Sequence, residues 1–207
     1  MLIYKRNKIE IYLKYNNLKK NIVKGKWIVV GGTGRNIGKT TLVEILINYL
    51  SVKHDVIGIK ISNMKPENMK YHGNHDFIPD NYLISEENNK NGNKDSMRYL
   101  KAGANRSYFV QVNDANLENV LPELLMLSKN DEIVVCESNS LSKVISPNLF
   151  FMVKGKFNYN SKKDWPELIK KADLVVPAMD IKAFNNIAQA LDLKDDKIQL
   201  QEGFSLG

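Results

Sequence analysis

The stretch Gly31-Gly32-Thr33-Gly34-Arg35-Asn36-Ile37-Gly38-Lys39-Thr40-Thr41 constrains this chain more than any other. It joins an apolar run, Trp27–Val30, to a segment with apolar residues at helical spacing: Leu42, Val43, Leu46, Ile47 and Leu50. A glycine-rich loop between a strand and a helix predicts a cradle for phosphate. Glycines let the backbone close around an anion with its N–H groups turned inward. The start of the helix adds a dipole and unpaired N–H donors. Lys39 brings a cation to the outer phosphates, and Thr40 offers a hydroxyl to Mg²⁺. The alternative is a glycine-rich turn that binds nothing. It is the weaker reading, because Gly38-Lys39-Thr40-Thr41 opens an amphipathic helix.

The loop is one residue longer than the common G-x-x-x-x-G-K-T form, whose first glycine would fall on Thr33. Here Gly32 is followed by five residues and then Gly38-Lys39-Thr40. That spacing is similar to the phosphate loop of dethiobiotin synthetases. The candidate contacts to a bound nucleotide, GTP or ATP, are Gly32, Thr33, Gly34, Arg35, Asn36, Ile37, Gly38, Lys39, Thr40 and Thr41.

Downstream the chain alternates apolar runs and helical patterns. Strands are expected at Val56–Ile61, Tyr108–Val112, Ile133–Cys136, Leu149–Val153, Leu174–Val176 and Ile198–Leu200. Helices are expected at Ser96–Ala104, Leu117–Leu127 and Ala183–Leu191. Strands without polar alternation belong to a sheet covered on both faces. The expected fold is therefore α/β: a doubly wound, mostly parallel sheet in a three-layer, P-loop NTPase-like sandwich. Its ligands should bind at the carboxyl ends of the strands. The expected organisation is a basic arm or edge strand over 1–26, then one nucleotide-binding domain over 27–207. Residues 62–93 show little periodicity and read as a long loop. No internal repeat and no linker interrupt the pattern.

Two strand ends add to the site. Ile133–Glu137 is an apolar run ending in a carboxylate, placed to hold Mg²⁺ together with Thr40. Lys60 ends the second strand and could reach phosphate or an acidic substrate. Lys39 and Glu137 are the candidates for the phosphate chemistry. Asp95 and Arg98, three apart, share a helix face. They form either a surface ion pair or a pair facing magnesium and phosphate. No Asn-Lys-x-Asp guanine-reading sequence is present, and Asp180 fits a helix N-cap better than a base contact. His72, His75 and Asp76 have loop spacing compatible with a metal, but solvated side chains are the simpler reading.

Composition removes other classes. The chain has 207 residues, 43% hydrophobic and 26% charged, which is ordinary for a globular domain. No run of about 18 apolar residues offers a membrane span, and no secretory leader is evident. One cysteine, Cys136, excludes an internal disulfide and a cysteine-cluster zinc site. A reducing, cytoplasmic setting is expected. Residues 1–26 hold eight basic side chains and one acid, and so carry the whole formal charge of +7; the remainder is balanced. A nucleic-acid role would rest on that segment alone. The alternation of Ile9, Ile11 and Leu13 with polar residues there reads more simply as a half-buried strand.

Three blocks resemble the molybdopterin-guanine dinucleotide biosynthesis protein B family of GTP-binding adaptors. They are Gly32–Thr41, Val56-Ile57-Gly58-Ile59-Lys60, and Lys94-Asp95-Ser96-Met97-Arg98-Tyr99-Leu100-Lys101-Ala102-Gly103-Ala104. Glu137 falls where that family has a Val-Glu-Gly segment. The resemblance spans Trp27–Glu137. It implies Mg²⁺-GTP binding, slow hydrolysis, a protein partner in molybdenum cofactor biosynthesis, and a homodimer. The chain departs from the family after Lys60, where Ile61-Ser62-Asn63 replaces a histidine-rich stretch, and after Glu137, where Ser138-Asn139-Ser140 stands. No general base is evident, which agrees with slow turnover. The alternative is an ATP-dependent small-molecule kinase or ligase similar to dethiobiotin synthetase. A nucleic-acid-binding module ranks last.

Overall fold

The structure, a computed structural model, describes residues 26–63, 82–129, 131–155 and 165–206. Most of the basic segment 1–26, with its expected edge strand, lies outside the described residues, as do His72, His75 and Asp76.

Seven strands form one sheet in the order β3-β4-β2-β5-β1-β6-β7. They are β1 (Lys26–Gly32), β2 (Val56–Asn63), β3 (Tyr82–Glu87), β4 (Arg106–Val112), β5 (Ile133–Glu137), β6 (Leu149–Lys154) and β7 (Leu174–Pro177). All pair in parallel except β3, which runs antiparallel to β4 at the edge. The helices are α1 (Lys39–Leu50), α2 (Asp95–Lys101), α3 (Leu117–Met126), α4 (Leu141–Val144), α5 (Trp165–Lys171) and α6 (Ile181–Gln189). A small hairpin, β8 (Leu191–Lys194) and β9 (Lys197–Leu200), follows.

Successive residues of a strand face opposite sides, and that alternation sorts the core into two layers. Ile28 and Val30 of β1, with Ile133 and Val135 of β5, pack under Leu42, Leu46, Tyr99, Phe184 and Ile187 from α1, α2 and α6. Trp27 and Val29, with Val134 and Cys136, pack against Val120, Leu124, Leu141 and Leu168 from α3, α4 and α5. All seven residues of β1 are buried, as a central strand covered on both faces must be. The result is the doubly wound α/β sandwich that the alternation of strands and helices predicts. The chain moves from β1 toward β2 and β4, returns to insert β5, then continues to β6 and β7 on the other side. That reversal opens a crevice at the carboxyl end of β1.

Several features differ from expectation, the short helix α4 among them. Residues 62–93 are not loop throughout: β2 runs on to Asn63, and β3 lies within the range. As an edge strand, β3 is mostly half-buried and lacks a clean alternation, which hides it among its polar neighbours. Helix α5 went unforeseen because only Leu168 of its seven residues is buried. Helix α6 stops at Gln189, and Leu191 instead begins the hairpin, whose turn residues Asp195 and Asp196 both have positive φ (51° and 60°).

Candidate functional site

The loop between β1 and α1 is built by tethers on both sides. The side chain of Asn139, just past β5, accepts from Gly32 N–H at 2.9 Å and donates to Gly32 C=O at 2.8 Å. Thr33 N–H donates to the Val153 carbonyl at 3.0 Å, and Thr33 Oγ accepts from Gly155 N–H at 3.0 Å. Thr33 therefore uses its hydroxyl to bind the loop to Gly155, just past β6, a task that a glycine in the shorter form of the loop could not perform. Met179 N–H closes the far side on the Ile37 carbonyl at 3.2 Å.

Gly38 has φ +97°, a left-handed conformation that favours glycine, and it turns the chain into α1. No side chain caps this helix start, and its first turn holds no acid. Its N–H donors and positive dipole end are thus left without an acidic side chain from the helix's own first turn, an arrangement that suits an anion. Lys39 Nζ donates to the Gly34 carbonyl at 2.6 Å, which places the ammonium within the loop. Arg35 and Asn36 are exposed at its tip, while Ile37 also packs against the core.

Glu137, only 2% exposed, is the hub of the site. One oxygen, Oε2, accepts from Thr40 Oγ1 and from the Tyr99 hydroxyl, each at 2.8 Å. The other, Oε1, accepts from Lys60 Nζ at 2.5 Å. Lys60 also pairs with Asp95 Oδ2 at 2.7 Å. Burial pushes the Tyr99 phenol well above its usual range, with the Glu137 and Asp95 charges adding to it, so this hydroxyl acts as a donor.

Arg98 makes a two-pronged contact to Glu44 of α1, at 2.8 and 2.6 Å, and lies 3.9 Å from Asp95. The Glu44 hydrogen bonds raise its already high pKa. Its main partner is therefore a helix neighbour that the sequence did not suggest.

A cavity of about 1080 Å³ opens over these groups. Gly34, Arg35, Asn36, Ile37, Gly38, Lys39, Thr40, Thr41, Lys60, Asp95, Arg98 and Glu137 line it. Gly32 and Thr33 lie buried and do not line it, so their place is in holding the loop. Asp180 caps α6, accepting from Ala183 N–H at 2.9 Å. Thr40 and Glu137 supply adjacent hard oxygen donors, a set that suits Mg²⁺. Among the described residues no group of three or more His, Cys, Asp or Glu is placed to hold a metal ion.

Sequence reasoning did not single out Tyr99, Asn139 or Glu44. Tyr99 stands four residues after Asp95, the spacing of one helix face, and that signal was available. Asn139 sits in the polar run that directly follows the β5 carboxylate.

No family model and no curated protein matches this chain. Among solved structures, the fold is similar to LpxK from Aquifex aeolicus, determined in complex with ATP: 16% identity, TM-score 0.48, over 86% of this chain and 56% of that one. The chain thus spans little more than half the length of that protein. No helix among the described residues is long and apolar enough to cross a membrane.

Proposed function

We propose that the chain binds a nucleoside triphosphate with Mg²⁺ at the β1–α1 loop, and that it works as a GTP-binding adaptor with slow hydrolysis. The observation that carries the binding is the convergence of Thr40, Lys60 and Tyr99 on Glu137 beside Lys39 and the open start of α1. In this reading the loop N–H groups from Gly34 to Thr40 and the Lys39 ammonium hold the phosphates. Thr40 and Glu137 hold Mg²⁺, which when bound neutralises charge on the outer phosphates.

What supports slow hydrolysis is that the carboxylates at the cavity are engaged. Glu137 and Asp95 are both engaged by Lys60, and Asp114 accepts from Ser140 Oγ. Each of the three already holds a donor from this chain. The client process, nucleotide attachment to the molybdenum cofactor through a protein partner, is supported by the resemblance in Gly32–Thr41, Val56–Lys60 and Lys94–Ala104. We take 27–207 as the nucleotide-binding domain and 1–26 as an appended basic segment.

A second reading, an ATP-dependent small-molecule kinase or ligase, is favoured by one feature. The cavity continues past the loop to Ser62, Asn63 and Asp114, polar groups beyond those assigned to the phosphates and Mg²⁺.

A thermal-shift titration with GTP and with ATP, each with and without Mg²⁺, tests both readings. A ligand at about 100 times its Kd adds roughly 2.7 kcal/mol. The expected result is stabilisation by Mg²⁺-GTP that Lys39→Ala abolishes. Stabilisation by ATP alone moves the assignment to the kinase or ligase. No response to either nucleotide overturns the phosphate-loop assignment.

A further inference from the structure

Three segments distant in sequence meet behind Glu137. Tyr99 comes from α2, Gly58 from β2 and Glu137 from β5. Tyr99 is fully buried, and its hydroxyl reaches the same carboxylate oxygen that Thr40 reaches. It can do so because position 58 has no side chain. A Cβ there would stand 2.7 Å from Tyr99 Cβ and 2.9 Å from Tyr99 Cδ2, closer than side chains pack. Glycine in a strand interior weakens the strand, so a close approach such as this one gives it a use.

We infer that Tyr99 is a positioning residue for the metal site: its hydroxyl fixes Glu137 with Oε2 turned toward Thr40, and Gly58 makes the space for its ring. The inference rests on the Mg²⁺-nucleotide reading above. Glu137 has three rotatable bonds and would otherwise lose that freedom only when a ligand arrives. Three donors on its two oxygens impose the order beforehand, so the cost does not fall on metal binding. Lys60 alone would hold Oε1 and leave Oε2 to swing about it. Tyr99 supplies the second fixed point, from a helix that also carries the Lys60 partner Asp95.

The test is Tyr99→Phe, which keeps the ring and removes the hydroxyl. GTP affinity is measured by calorimetry over a Mg²⁺ series and in EDTA. In the variant, the Mg²⁺ concentration for half-maximal enhancement of affinity should rise about tenfold, the size of one hydrogen bond to a charged group. Affinity in EDTA should stay unchanged. Gly58→Ala displaces the ring without removing the hydroxyl, and should shift the Mg²⁺ dependence in the same direction. Tyr108→Phe is the control, since that hydroxyl accepts from Arg106 and touches none of these groups; it should leave the Mg²⁺ series as in the wild type. A wild-type Mg²⁺ half-saturation in Tyr99→Phe, whatever its melting temperature, overturns the inference. So does an equal loss in EDTA and in Mg²⁺. A wild-type protein whose GTP affinity ignores Mg²⁺ overturns both the inference and the reading beneath it.

Discussion

Asn139 illustrates how much of the site depends on a single amide. It is 8% exposed, and its side chain satisfies both backbone groups of Gly32. Truncation leaves a buried N–H and a buried C=O without that partner, and each such group costs about 1–3 kcal/mol. Asn139→Ala should therefore lose on the order of 2–4 kcal/mol in urea denaturation and weaken nucleotide binding, because Gly32 anchors the start of the loop. A loss below about 0.5 kcal/mol, the range of an ordinary surface substitution, would mean that the pair contributes nothing. The residues whose place at the cavity was legible from sequence were those with a local signal: Gly38, Lys39 and Thr40 in one loop, and Glu137 at a strand end. Asn139, Tyr99 and the Glu44 partner of Arg98 were not legible as partners. Their contacts span 107, 38 and 54 positions, so no local spacing encodes the pairings; for Tyr99 the helix face shared with Asp95 was the one local signal.

Among the elements, helix α6 joins a local signal to a packing role. Asp180 caps its first turn, and Phe184 and Ile187 are buried in the core layer that also holds Leu42 and Leu46 of α1. Replacing an N-cap Asp by Ala costs about 1 kcal/mol, whereas Asn caps nearly as well. Asp180→Ala should thus lower stability by about that amount in chemical denaturation, and Asp180→Asn should restore most of it. Equal losses in the two variants would show that charge, not capping, is what Asp180 supplies. The cap was legible because Asp180 directly precedes the periodic run. Strands β1 and β5 were legible as apolar runs, and β2 as an apolar segment broken only by Gly58 and Lys60 before Ile61. Edge strand β3 and helix α5 were not, because an element that buries little of itself leaves little hydrophobic period to read.

At the scale of the whole molecule, Cys136 sits where only opening of the sheet, or of the helix layer packed on it, can reach it. It lies in β5, between β2 and β1, and is 0% exposed. Burial pushes its thiol well above the ordinary cysteine range, so the reactive thiolate is scarce as well as enclosed. As the single cysteine of the chain, it reports on the unfolding of the sheet that carries Thr40, Lys60 and Glu137 at its crevice. Where closing outpaces labelling, the rate of alkylation follows the population of the open form. A ligand bound only by the closed form, at about 100 times its Kd, lowers that population about a hundredfold. Iodoacetamide labelling of Cys136 should therefore slow by about that factor with Mg²⁺-GTP, and Lys39→Ala should remove the protection. If nucleotide raised the melting temperature yet left labelling unchanged, β5 would open locally without disturbing the crevice. The tie from Glu137 to Thr40 across β5 and α1 argues against such an opening, because freeing Cys136 would also free its neighbour, the hub of the site.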